Sequence, residues 1–289
     1  MPKSANPPEF KTLENFERFS QRNDVFCRSF WDPHIRSKKS ELFYQTYRTP
    51  LKTWRTAEGF TQKDYALRNA AWHVTDIFAE LKEAEDRREG FLDAFTLQRD
   101  GPPERVPVDS PAAMSAEIKH VARVFGADLI GITEADRRWL YTRQYSAQTQ
   151  QEKPTDLPED LPHVVVIAQE MSESLIQTVP SALSGAATGL GYSKDALVLL
   201  SVAQYIRNLG YRAVASLNDT ALAVPLAIKA GLGEYGRHGL LITPEFGPRV
   251  RLGKIFTDLP LAHDRPIAFG VRQFCNVCRR CTTACPARA

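Results

Sequence analysis

The sequence predicts an α/β (α+β) protein, in which a sheet with helices on both faces follows a helical N-terminal region and precedes a cysteine-rich segment. Helical and strand patterns alternate from Ser110 onward, and the run HVVVIAQEM at 163–171 is almost continuously apolar. Four of the five cysteines lie within the last fifteen of the 289 residues. A chain of this length can bury one large core or two smaller ones.

The N-terminal third differs from the rest of the chain in its composition and hydrophobic pattern. Residues 1–50 are rich in aromatic and charged residues, which predicts an extended arm with one or two short helices around the core. Residues 61–90 predict an amphipathic helix. Its expected apolar stripe consists of Tyr65, Leu67, Ala71, Trp72, Val74, Ile77, Phe78 and Leu81. The Pro-rich stretch 99–111 reads as a linker, so we expect an N-terminal arm with helices over 1–109.

The second region, 110–270, is predicted to form the α/β core. Ser110 and Pro111 have the residue types of a helix N-cap and first position, and Gly210 that of a C′ glycine. The expected helices are 110–127, 193–210 and 220–233, and the expected strands are 128–133, 163–171, 211–217 and 249–260. The strand at 163–171 has the composition of one buried on both faces.

The third region, 271–289, carries C-x2-C-x2-C-x3-C-P, the bacterial ferredoxin pattern for [4Fe–4S] clusters. The zinc alternative fits poorly, because zinc ribbons use two separated C-x2-C pairs. Cys275, Cys278 and Cys281 are therefore predicted to bind one cluster, and Cys285 a second. The six histidines show no metal-like pairing in the sequence.

The remaining ligands of such a two-cluster module are not in the sequence. We therefore expect a fragment, inactive alone, with a truncated ferredoxin-like module over 271–289. Cys27 lies among aromatic residues and is predicted to be buried, with a role as the missing ligand as the alternative.

The composition and net charge argue against a membrane-spanning protein and against a nucleic-acid-binding protein. No run is long enough to cross a bilayer, and a net charge of +3 is too small to indicate nucleic-acid binding. The first thirty residues lack an apolar segment and a twin-arginine pair, so no export signal is visible. The expected location is the cytoplasm, or the outer face of the inner membrane if a signal is missing from the chain.

Residues 189–286 resemble the reductive dehalogenases, corrinoid and iron–sulfur enzymes that remove halogen from organohalides. The resemblance is carried by GLGYSKDA, LGYRA, the run VPLAIKAGLGEYGRHGLLITPEFGPRVRLGKIFTDLPL, D-x-P-I-x-F-G and the cysteine motif. It implies a nitroreductase-like core that binds cobalamin or a related corrinoid in its base-off form. No D-x-H-x-x-G motif, which would supply a histidine ligand to cobalt, is present.

The same resemblance implies two [4Fe–4S] clusters in the full-length protein, an organohalide substrate, an external electron donor and a membrane anchor protein as partners. Two alternatives stay open. Epoxyqueuosine reductases share the corrinoid-binding fold and act on tRNA, but they carry an aspartate where this chain has Tyr192. A ferredoxin-like electron carrier is the other, although about 270 residues precede the cysteine motif.

The resemblance also assigns a catalytic group of Tyr192, Arg251 and Asn218. A tyrosine hydroxyl is a weak acid unless a nearby cation stabilises the phenolate, and arginine stays charged when partly desolvated. Asn218 would orient the tyrosine or the substrate. From the residues alone, Tyr192 reads as a surface or packing residue ahead of a helix, Arg251 as a structural ion-pair partner and Asn218 as a helix cap.

Residues 231–247 are assigned to the corrinoid site. The stretch G-L-G-E-Y-G follows a short helix rather than a strand, which is the wrong context for a dinucleotide fingerprint. Its glycines would allow close approach to a large planar ligand or permit tight turns. The expected contacts are Gly231, Gly233, Gly236, Arg237, Gly239, Thr243, Pro244, Phe246 and Gly247.

Overall fold

The computed structural model describes residues 14–42, 56–84, 101–146, 149–155, 157–218 and 220–285. The helices are α1 (Val25–Trp31), α2 (Gln62–Ala84), α3 (Pro111–Val124), α4 (Glu173–Ile176), α5 (Ala182–Asn208), α6 (Ala223–Lys229), α7 (Val271–Val277) and α8 (Arg280–Thr283). The strands are β1 (Leu129–Glu134), β2 (Arg143–Tyr145), β3 (Glu152–Pro154), β4 (His163–Glu170), β5 (Ala213–Ser216), β6 (Glu234–Tyr235), β7 (Leu241–Ile242) and β8 (Val250–Thr257).

The centre of the fold is a four-stranded sheet in the order β1-β4-β8-β5, and all its neighbouring strands are antiparallel. Val165 and Ile167 of β4 contribute to the core formed with α2, α3 and α5. The alternate residues Val164 and Val166 contribute to the core on the α6 side. Strand β4 is thus buried on both faces, as predicted, and the mixed α/β (α+β) class is confirmed.

Several boundaries follow from the expected local chemistry. The Ser110 hydroxyl accepts the Ala113 amide proton at 3.2 Å, and Pro111 occupies the first turn of α3. Just after the C-terminal end of α5, Gly210 adopts φ of +84°, which a residue without Cβ adopts without strain. Helices therefore begin and end at these positions for the reasons read from the sequence.

Helix α5 begins eleven residues before the predicted start at 193. Ser181 and Ser184 form a reciprocal capping box at its N-terminus, and the Gly-Leu-Gly stretch lies inside the helix. A Cβ atom on Gly189 would lie 2.4 Å from the Trp72 ring, and one on Gly191 would lie 2.5 Å from Cγ of Arg251. These glycines allow close packing on both sides, and the predicted helix start at 193 was wrong.

The buried face of α2 also differs from the predicted stripe. Trp72 is buried as expected, but Leu67, Val74 and Ile77 are exposed, while Arg68 and Thr75 are buried. The side chain of Leu81 lies outside the part of the structure that is described. Residues 68, 72 and 75 share one helix face by their spacing, and this face packs along α5.

The N-terminal segment lies against the connection between β1 and β3. The Thr142 amide donates to the Phe19 carbonyl at 3.0 Å, and the Tyr145 amide donates to Oε1 of Gln21 at 2.9 Å. Cys27 of α1 is 4% exposed, which confirms that it is a buried packing residue. The predicted division of the chain near residue 110 stays a prediction. Within the described ranges, no helix combines the length and apolarity needed to cross a membrane.

Replacing Gly253 by alanine is expected to destabilise the protein by about 1–3 kcal/mol, because the new Cβ would lie 2.4 Å from Cδ1 of Leu199. Urea unfolding of Gly253→Ala, Leu199→Ala and the double variant measures this. Since Leu199→Ala opens the space that the extra methyl needs, the double variant should be less destabilised than the sum of the single variants by at least about 0.5 kcal/mol. Strict additivity would contradict the proposed close contact.

Candidate active site

Tyr192 lies near the middle of α5 and is 4% exposed. Its ring stands 5.3 Å from that of Trp72, with the two planes tilted by 34°. The Ser193 hydroxyl donates to the Ala71 carbonyl at 2.7 Å and ties the same turn to α2. Two helices therefore fix the position of the tyrosine ring.

Arg251 lies near the start of β8, and its stem crosses Gly191 of α5. Its NH1 group donates to the Tyr192 hydroxyl oxygen at 3.1 Å, and its guanidinium carbon is 5.1 Å from the centroid of the tyrosine ring. Its Nε is directed at Sδ of Met171, at 3.3 Å. The cation is thus held against Tyr192 by a strand rather than by a loop.

Asn218 follows β5, at the end of the sheet where β8 begins. Its side-chain nitrogen donates to the Tyr192 hydroxyl oxygen. Thr220, two residues later, is 1% exposed and has φ of +71°, a conformation that β-branched residues rarely adopt. Backbone strain of this kind clusters in segments with a functional role.

The structure therefore brings together the three residues assigned to catalysis. Both Arg251 and Asn218 donate to the oxygen of Tyr192, and donors to an oxygen favour its charged form over its neutral form. The arginine charge adds to the same preference. Chemically, this arrangement can release a proton from Tyr192 and hold the phenolate that remains.

The four cysteines of the ferredoxin-like pattern lie at the C-terminal end of the described chain. Cys275 lies in α7, Cys278 follows it directly, Cys281 lies in α8, and Cys285 follows that helix. All four are partly exposed free thiols. Within the described residues, no three His, Cys, Asp or Glu side chains are placed to hold one metal ion. The donor type and spacing fit an iron–sulfur cluster, and such sites commonly take shape only when the metal binds.

In the metal-free chain, Cys27 is expected to be the one slow thiol among the five. Burial, with Asp24 as a further cause, raises the pKa of Cys27 from 9.0 to about 12, so its thiolate fraction falls by about 10³. Titration with a disulfide reagent should consume four thiols quickly in native protein and five after unfolding. The variant Cys27→Ala should lose only the slow phase, and a fast fifth thiol in native protein would contradict the assignment.

The residues assigned to the corrinoid lie on a hairpin of β6 and β7 and on the turn that follows. A Cβ on Gly233 would lie 2.2 Å from the Ile242 carbonyl oxygen, and one on Gly236 would lie 2.6 Å from the His238 ring. Packing inside the hairpin explains these two glycines. Gly239 and Gly247 have φ of +83° and +58°, and a Cβ on either would meet nothing closer than 3.6 Å. Among the described residues, these two positions therefore have open space beside the backbone.

The other residues assigned to the corrinoid lie in turns or contact the cysteine segment. Gly231 has φ of +77° and approaches the Arg265 carbonyl, so its role is a turn. Thr243 is buried, and its hydroxyl accepts the Phe246 amide proton at 3.0 Å, which closes the turn that includes the exposed Pro244. Arg237 is exposed, and its Nε donates to the Cys275 carbonyl at 3.1 Å.

Glu234 joins this hairpin to the cysteine segment. One oxygen of its buried carboxylate accepts the amide protons of Phe269 and Val271, at 2.6 and 3.1 Å. These bonds fix the entry into α7, which carries Cys275. The hairpin and the cysteine segment are therefore positioned together, a coupling that no sequence pattern indicated.

Two histidines that are 100 residues apart in the sequence lie side by side at the N-terminal end of β4. Nδ1 of His163 lies 2.8 Å from Nε2 of His263, which is a hydrogen bond between the two rings. Burial, with His263 as a further cause, lowers the pKa of His163. Both line a cleft with Arg18 and Leu157 that contains none of the residues assigned to catalysis or to the cofactors.

Comparison with known proteins agrees with this site. A family model described as a reductive dehalogenase subunit matches residues 147–261. The tetrachloroethene reductive dehalogenase of Desulfitobacterium hafniense is 39% identical over 89% of this chain and 58% of its own length. That of Sulfurospirillum multivorans is 36% identical over 96% of this chain and 64% of its own length. The chain thus spans less than two thirds of the length of these relatives.

Solved structures show the same fold. The catabolic reductive dehalogenase NpRdhA matches with a TM-score of 0.70 at 23% identity, covering 95% of this chain and 36% of that one. The epoxyqueuosine reductase of Salmonella typhimurium, by contrast, is 39% identical over only 30% of this chain and 22% of its own length. The family model and the relatives support assignment of the chain to the reductive dehalogenase family, and the solved structures show that it has their fold.

Proposed function

We propose that the protein is a reductive dehalogenase that replaces a halogen atom of an organohalide by hydrogen. The observation that carries this proposal is the convergence of Tyr192, Arg251 and Asn218 at one end of the sheet. Replacement of one halogen consumes two electrons and one proton and releases one halide ion. A site for this reaction therefore needs a reductant and a positioned proton donor.

Tyr192 is the proton donor in this proposal. Its hydroxyl oxygen already accepts hydrogen bonds from Arg251 and Asn218. The negative charge left after proton transfer is therefore stabilised by two hydrogen-bond donors, of which Arg251 is also a cation. Stacking on Trp72 fixes the ring. The residues that stabilise the phenolate lie on a strand and at a strand end, which limits their movement during the reaction.

A corrinoid is the proposed cofactor, because a solved relative that matches with a TM-score of 0.71 is described in terms of B12-dependent dehalogenation. The open backbone at Gly239 and Gly247 would approach it, while Thr243 and Glu234 hold the hairpin and turn in shape. When bound, the corrinoid would supply the strongly reducing metal needed to break a carbon–halogen bond. The protein residues bind and orient, and Tyr192 provides the proton.

Iron–sulfur clusters are the proposed electron relay. Cys275, Cys278 and Cys281 have the spacing for one [4Fe–4S] cluster, and Cys285 that of a ligand to a second. The bond from Arg237 to the Cys275 carbonyl places this segment beside the hairpin that would contact the corrinoid. The reaction requires an external electron donor. The family resemblance suggests a membrane anchor protein as a further partner.

The test is the metal content and activity of the complete natural protein, reconstituted anaerobically with cobalamin, iron and sulfide. We expect about one cobalt and about eight irons per chain, as one corrinoid and two [4Fe–4S] clusters require. Chloride release from tetrachloroethene with a low-potential reductant should accompany them. Iron without cobalt would indicate an electron carrier instead, and loaded protein that releases no halide from any organohalide would reject the proposal.

A further inference from the structure

Asp195 is a buried carboxyl group with no role in the site described above. It lies on α5, one turn after Tyr192, and is 0% exposed. Neither of its oxygens has a hydrogen-bond partner among the described residues. An unsatisfied polar group at full burial is rare in proteins and calls for an explanation.

The charged groups around Asp195 belong to the active site or to its support. Arg251 and Lys254 of β8 are close enough to lower the pKa of Asp195, and Asp128 before β1 acts in the opposite direction. Lys254 is also 0% exposed and donates to the Leu217 carbonyl, next to Asn218. Gln169 of β4 is the residue paired with Arg251 in the sheet, and it is also fully buried.

The contacts of Arg251 show which form of Asp195 this arrangement suits. An ionised carboxylate in a dry core would pair with the nearest guanidinium, because an unpaired buried charge is strongly unfavourable. Instead, Arg251 directs NH1 to Tyr192 and Nε to Met171, and no described residue donates a hydrogen bond to the Asp195 oxygens. Consistent with a neutral acid, burial raises the pKa of Asp195 to about 8 against the field of the two cations.

We propose that Asp195 is a positioning residue of the Tyr192 site: as a neutral acid it leaves the charge of Arg251 available to the Tyr192 hydroxyl, and its ionisation withdraws that support. This inference rests on the proposed function only in making Tyr192 the proton donor. A negative charge one turn from Tyr192 opposes formation of the phenolate directly. It also competes with Tyr192 for the guanidinium, so both effects act in one direction.

The experiment follows the ionisation of Tyr192 in the corrinoid-free protein by NMR of ¹³Cζ-labelled tyrosine, with Tyr192→Phe assigning the resonance. In the unmodified protein, a small displacement near pH 8 should precede ionisation of the phenol. In Asp195→Asn and Asp195→Leu this displacement should vanish, and the ionisation constant of Tyr192 should rise about tenfold. Two neutral replacements with different hydrogen-bonding capacity separate charge from packing.

Asp258→Asn is the matched control, because it removes one carboxylate beyond the far end of β8, about 20 Å along the strand from Arg251. That variant should keep both steps. An unchanged Tyr192 titration in both Asp195 variants overturns the role of Asp195, even if the loaded enzyme releases halide. Conversely, loss of the proposed function leaves the titration result standing, so the two failures are distinguishable.

Discussion

Replacing Tyr192 by phenylalanine is expected to lower the rate of halide release by about 10²–10⁴-fold, the usual contribution of a general acid. The ring and its stacking on Trp72 remain, so only the hydroxyl is lost. Arg251 and Asn218 then face each other without the acceptor that separates them. Steady-state turnover with corrinoid and clusters loaded in both proteins measures the effect.

Tyr211→Phe is the matched control for this prediction. Tyr211 is 7% exposed, close to the burial of Tyr192, and its hydroxyl donates to the Val106 carbonyl at 2.9 Å, away from the site. Its loss should cost about 1 kcal/mol of stability and leave turnover unchanged. Equal rates in Tyr192→Phe and unmodified protein, at equal cobalt content, would assign the proton to another donor.

The order of elements could be read from the sequence, because each signal was local. The Ser110 cap, the Gly210 terminus and the apolar run of β4 depend only on neighbouring residues, and all three are confirmed. The antiparallel direction of the sheet could not be read in this way. It depends on which strands pair across long connections, and β8 pairs with both β4 and β5.

The errors occurred where tertiary contacts outweigh local preference. Glycine is unfavourable inside a helix by about 1 kcal/mol, and the predicted helix start at 193 left out Gly189 and Gly191. In the structure the Trp72 ring and the Arg251 stem occupy the space that side chains would fill. On α2, the apolar Leu67 and Val74 face outward, because the face that meets α5 is set by the position of Trp72.

The candidate site was predictable only in part. Family resemblance identified Tyr192, Arg251 and Asn218, since from the sequence alone each also suits an ordinary structural role. Only the fold brings the three side chains together. Met171 carried no signal. Asp195 is the one acidic residue of α5 and lies three residues after Tyr192, but its burial depends on packing against the sheet.

That burial leads to a second large effect, a pH dependence of stability that Asp195→Asn should remove. The carboxyl has a pKa of about 8 in the folded protein, against an ordinary value of 3.8. Between these limits the folded protein holds a proton that the unfolded chain has released. Stability from this group is therefore complete below about pH 4 and falls as pH rises, by about 1.4 kcal/mol per pH unit, until about pH 8.

Urea unfolding of unmodified protein and Asp195→Asn at several pH values between 5 and 8 measures this dependence, with the difference between the two unfolding free energies as the readout. Groups common to both proteins cancel in that difference, including the histidines that titrate in the same range. The difference should change by about 4 kcal/mol over the three units, in the direction that weakens the unmodified protein at high pH. Parallel curves would mean that Asp195 is already ionised at pH 5, and its carboxylate would then compete with the Tyr192 hydroxyl for the Arg251 guanidinium.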